Sequence, residues 1–143
     1  MAYATLTDMT LRFGETEVHR LSAGDGDLPL GINEAAVDRA LGDAAAIIDS
    51  FLRRRYLTPI AQPSADIVRA ACILARYDLA TGSNKEPSAQ MKEGRDEVLA
   101  WLAKIADGRV TIEGLPTVQL ASGSGVRSSD RPRALTSGNL GLS

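Results

Sequence analysis

The chain is expected to be mainly α-helical, a small bundle of three longer helices preceded by short N-terminal helices. Three observations lead there. Apolar residues recur at helical spacing in three separate segments, each preceded by a capping side chain and followed by Gly or Pro. Aromatic residues make up only 4% of 143 residues, so the core must be assembled from Ala, Leu, Ile and Val. Ala and Leu lose little rotamer freedom in a helix, which favours that state over sheet.

The elements come in order. Thr7 is placed to cap a first short helix running toward Arg12, with Gly14 as its stop, and a second covers Glu15 to Leu21. The Gly/Asp-rich stretch AGDGDLPLG at 23–31 then breaks the chain. Asn33 caps the first long helix, where Val37, Leu41, Ala44, Ile48 and Phe51 form one buried stripe. That helix should reach about Arg55, before Pro59 forces Thr58 out of the helical region. Ser64 caps the next, with Ile67, Ala71, Leu74 and Ala75 inward and Gly82 near its end. The polar loop SNKEPS leads to a last helix from about Ser88 to Asp107, with Met91, Val98, Leu102 and Ile105 as its stripe and Gly108 as its stop.

After Gly108 the period changes. Val110 and Ile112, then Val118 and Leu120 beyond EGLP, alternate with polar neighbours, the pattern of a short β-hairpin or of two strands that pair elsewhere. An isolated hairpin is marginal in water, so it should lean on the bundle or on a partner. From Ala121 to Ser143 the chain is rich in Ser, Gly and Arg, with sparse apolar residues at Leu135, Leu140 and Leu142. Such a segment cannot offset its ordering entropy alone and reads as an extended docking tail. The expected organisation is therefore a helical body over 1–109, a hairpin or strand-addition segment over 110–120, and a tail over 121–143. Arg127, Arg131 and Arg133 against Asp130 leave the tail at +2; with the whole chain at −2, the remainder carries −4. These features imply docking on an acidic surface of a neighbouring subunit, by strand addition or by leucines in grooves, with Val118, Leu120, Arg127, Arg131, Arg133, Leu135, Leu140 and Leu142 as contacts.

Bulk properties exclude several classes. A net charge of −2 is unsuited to a general nucleic-acid binder, which needs a positive excess for counterion release. The single cysteine, Cys72, cannot form an internal disulfide and fits a reducing compartment. The N-terminus MAYATLTDMT lacks a basic region and an apolar region, so no secretory signal is expected, and no window is apolar enough for a membrane span.

Catalytic patterns are absent. His19, the sole histidine, has no supporting nucleophile motif, and Cys72 lies within an apolar helical run where a thiol acts as a small hydrophobe. Asp25 and Asp27 suggest calcium, but the loop positions that need Gly and Glu hold Leu30 and Ala36. GDGDLP and GSGVRS both lack the third glycine of a dinucleotide loop. No cofactor, metal or enzymatic activity is expected. The sharpest charge feature is Arg53-Arg54-Arg55. Near a helix C-terminus these cations complement the dipole, by a few tenths of a kcal/mol each. They are also candidates for contact with an acidic partner or with DNA phosphates.

Several short strings, in order, resemble the head–tail connector family of Mu-like phages and prophages. They are TyrAlaThr at 3–5, ArgPheGly at 12–14, GDGD at 24–27, the helix from Asn33 ending ArgArgTyrLeuThrPro at 54–59, AlaArgTyrAspLeu at 75–79 and LysIleAlaAspGlyArgVal at 104–110. The likeness covers about residues 3–112. It implies an adaptor in the virion neck, in closed rings of about twelve subunits around the DNA exit channel. Such adaptors bind the portal protein above and a stopper or tail-side protein below, and their C-terminal segment reaches into the portal. DNA passes through without sequence-specific binding. The family carries no catalytic residues, and its strings read as packing and turn positions; Arg76 and Tyr77, for instance, would pack a stem and a ring on neighbouring helices. The alternative class is a small helical nucleic-acid-binding or regulatory protein of a prophage, suggested by the short-looped helix pairs and the arginine run.

Overall fold

A computed structural model describes residues 2–24, 31–82 and 85–118. Among these the chain forms five helices: α1 (Leu6–Phe13), α2 (Glu15–Ser22), α3 (Glu34–Leu52), α4 (Ala65–Thr81) and α5 (Ala89–Ala106). The three long helices and two short ones are those the sequence predicts. The Asp25 and Asp27 loop, Leu120 and the tail lie outside the described residues.

Side-chain caps fix the starts of the long helices. Asn33, Ser64 and Ser88 each accept from a backbone N–H three residues on, at Ala36, Ile67 and Met91. The first helix starts earlier than expected. Thr5, not Thr7, is its cap, in a reciprocal box: the Thr5 hydroxyl accepts from Asp8 N–H and the Asp8 carboxylate accepts from Thr5 N–H at 2.8 Å. Thr7 lies inside the first turn, where its carbonyl accepts from the Thr10 hydroxyl. Thr5→Ala should cost about 1 kcal/mol of stability, read from chemical denaturation. Gly14, at φ +89°, stops α1 and starts α2 without an intervening loop.

The long helices form an up-down-up bundle in which each packs on the other two. Asp78 on α4 lies against Asp43 and Arg39 on α3, while Asp66 and Trp101 share one end of the α4–α5 interface and Arg76 and Met91 the other. Helix α4 is central, burying Ile67, Ala70, Ala71, Cys72, Leu74, Ala75, Leu79 and Ala80. The alanines let its neighbours approach from several sides, and Gly94 on α5 serves the same purpose. A Cβ there would stand 3.4 Å from Ile73 Cγ2. The expected stripes are inward, with two adjustments. Leu52 takes the fully buried place at the end of α3 while Phe51 is half-buried, and Met91 is half-buried at the N-terminal end of α5.

The N-terminal helices pack on this bundle, with polar ties. Arg76 donates from Nε (3.2 Å) and Nη2 (2.7 Å) to Glu17 Oε1, and its guanidinium lies 4.5 Å from the centroid of the Phe13 ring. Tyr77 holds the Arg95 guanidinium at 4.7 Å from its ring centroid. The Tyr77 ring therefore packs against α5 as expected, whereas Arg76 engages α1–α2 by its guanidinium and not by its stem. Because the Arg76–Glu17 pair is largely shielded from water and doubly bonded, Arg76→Ala should destabilise by about 2 kcal/mol. Thermal unfolding of the variant checks this.

Of the two expectations for 110–120, the hairpin is not formed among the described residues, and Leu120 lies outside them; pairing elsewhere is seen at 116–118. Residues 110–118 form no strand; their pairing is an isolated antiparallel bridge between Thr117 and Tyr56. Leu57 N–H donates to Pro116 O and Val118 N–H to Arg55 O, both at 2.9 Å. Residues 116–118 thus pair with the segment after α3, while Ile112 N–H donates to the Tyr56 hydroxyl and Val110 N–H to Lys104 O. Val110, Ile112 and Leu115 are half-buried against the core, which makes the bundle the better partner.

Candidate docking surface

The candidate surface is organised around the C-terminal end of α3. That helix ends at Leu52, three residues short of the expected Arg55, and the chain turns through Arg53–Arg55. Arg53 Nε donates to Asp49 O at 3.2 Å, within its own helix end. Arg55 reaches across to α5, with Nη1 3.4 Å from Ile105 O, and its guanidinium fills the space over Gly108. The run thus adds side-chain donors to carbonyls at two helix C-termini, as helix-end cations do. Arg54, between them, is exposed and makes no such bond among the described residues.

Two buried tyrosines lock the surroundings. Tyr56 Oη accepts from Ile112 N–H at 2.9 Å, holding the post-α5 segment. Tyr3 Oη accepts from Ile60 N–H at 2.9 Å and donates to the Asp49 carboxylate. Burial and the neighbouring carboxylate push its pKa up to about 12. Leu57, 53% exposed, stands beside this knot.

Of the predicted contact residues, Arg55 and Val118 are brought into direct contact through the backbone. The arginine run therefore flanks Val118, the last described residue before the C-terminal arm. Leu120, Arg127, Arg131, Arg133, Leu135, Leu140 and Leu142 lie outside the described residues.

A second feature was not legible in the sequence. Where α1, α4 and α5 meet, a groove of about 440 Å³ is walled by Arg12 and Phe13, Arg69 and Ile73, and Glu93 and Glu97. It continues past Arg69 and Glu97 into a hollow of about 290 Å³ ending at Trp101. The groove draws on three segments far apart in sequence, so no local pattern announces it.

Among the described residues, Cys72 and His19 lie on different helices. Cys72 is fully buried and its thiol is pushed up to about 11, chiefly by burial, with the Arg12 charge opposing. His19 is half-buried on α2 beside a shallow hollow with Glu15, Thr16 and Gly31. Among the described residues no group of His, Cys, Asp or Glu could hold a metal ion, and no helix is long and apolar enough to cross a membrane.

Comparison with known proteins places this architecture. The chain is 28% identical over 128 residues to Gene product J of Escherichia phage Mu, spanning 87% of this chain and 85% of that protein. It is 32% identical over 81 residues to the Mu-like prophage FluMu protein gp36 of Haemophilus influenzae, spanning 57% of this chain and 55% of that protein. The family model described as Bacteriophage Mu, Gp36 matches residues 3–128, which takes in the whole described body and the start of the arm, and the chain belongs to that family of Mu-like phage and prophage proteins.

Proposed function

We propose that the protein is the adaptor of the virion neck, a ring joining the portal of the DNA-filled head to the stopper or tail-side proteins. The observation that carries this reading is a helical body, in a chain of the Mu Gp36 family, whose Val118 is bonded to Arg55 and is followed in sequence by a basic arm. A body with its own buried core and an arm too poor in apolar residues to build one suit an assembly part: the body sets spacing and the arm makes contacts. Ring closure multiplies modest contacts into firm attachment, and DNA passes through the centre without being read. No catalytic step or cofactor enters this role. The regulator alternative is weakened by the net charge of −2 and by the placing of Arg53 and Arg55, which donate to backbone carbonyls of helix ends instead of lining a recognition helix.

Electron microscopy of lysates lacking this gene tests the reading. Filled or emptied heads beside unattached, normal tails are expected. Normal virions in normal numbers would overturn it.

A further inference from the structure

The groove between α1, α4 and α5 has walls of opposite charge. On the α5 side Glu93 and Glu97 are exposed and make no ion pair among the described residues; opposite them stand Arg12 and Arg69. Arg76 is held by Glu17. Phe13, Ile73 and Met91 supply an apolar end. A fitting occupant is therefore extended, basic on one edge, acidic on the other, and apolar at one end.

The C-terminal arm carries such a segment. Arg131, Arg133 and Leu135 are two residues apart, so an extended chain sets them on one side about 7 Å apart, with Asp130 on the other. Pro132 biases Arg131 toward that extended state. Glu97 and Glu93, four apart on a helix, are separated by about 6 Å along its axis. Arg131 opposite Glu97 and Arg133 opposite Glu93 would carry Leu135 on to Phe13 and Met91, and turn Asp130 toward Arg69.

We propose that this groove receives residues 130–135 of the arm of a neighbouring copy, an inference that rests on the ring reading above. A head-to-tail ring needs two unlike patches on each chain, and an arm with a groove is such a pair. From Val118 to Arg131 the chain spans up to roughly 40 Å, enough to reach another bundle. Leu140 and Leu142 lie beyond the groove segment and stay available to the portal.

The test uses the full chain with R131E/R133E, with E93R/E97R, and with all four changes together, circular dichroism confirming the fold of each. Self-association is followed by sedimentation, and the sole tryptophan, Trp101, reports on the groove by its emission. Wild type should associate with a concentration-dependent shift in Trp101 emission. Each reversal should weaken association by about tenfold or more, and the combined swap should recover most of it. Association untouched by the reversals, failure of the swap to restore it, or an emission signal independent of concentration (an arm seated on its own chain) would overturn the proposal while leaving the ring intact. Wild type that stays monomeric at every concentration, with or without portal, would overturn the ring and the proposal together.

Discussion

Truncation after Val118 is expected to leave the body folded and to reduce infectious phage to the level of the gene disruption. The buried core is built from residues between Tyr3 and Ile105, and the segment packed against it ends at Leu115. Removing residues 119–143 leaves all of these residues in place and retains the bonds of Leu57 to Pro116 and Val118 to Arg55. The helical dichroism and the melting transition should be nearly unchanged, while head–tail joining is lost with the arm. Truncation after Gly108 should behave differently. It also removes Val110, Ile112 and Leu115 from their half-buried places and leaves Tyr56 Oη without the Ile112 N–H, at a cost of about 2–4 kcal/mol. Denaturation of the two truncations separates the body's own seal from the arm. Loss of folding in the longer one would contradict this account.

Tyr3→Phe carries the second large effect. One hydroxyl satisfies both the buried Ile60 N–H and the Asp49 carboxylate, tying the N-terminus to α3 and to the segment before α4. Phenylalanine keeps the ring but leaves the amide without an acceptor and the carboxylate without a donor, a loss of about 3 kcal/mol. The pH dependence supplies an independent signature. The folded state holds the Tyr3 hydroxyl protonated to about pH 12, above its ordinary 10.0, so its contribution is complete below pH 10. It is lost as pH rises through the folded value. Wild type should therefore lose stability between about pH 10 and 12 more steeply than Tyr3→Phe. Parallel alkaline denaturation curves would place the tyrosine outside this role.

Much of the body could be read directly from the chain because it is set locally. Asn33, Ser64 and Ser88 precede apolar residues at helical spacing, and Gly108 follows the last stripe at a left-handed φ of +85°. The box of Thr5 with Asp8 was visible as T-x-x-D, an acidic form of the pattern more often written with Glu or Gln, so the nearer Thr7 is a tempting cap. What depends on distant partners was not visible. The alternation over 110–120 is the same whether the strand pairs with itself or with Tyr56, and only tertiary packing chooses. Arg55 carries no local sign that it spans to the end of α5. The α1–α4–α5 groove likewise exists only once Arg12, Arg69 and Glu97 are brought together.

Gold-labelled antibody against the protein, imaged on intact virions by electron microscopy, tests the central claim most directly. The adaptor reading predicts label confined to the head–tail junction, retained on isolated heads that have kept their necks. Label along the tail or over the capsid faces, or none on the virion at all, would contradict it.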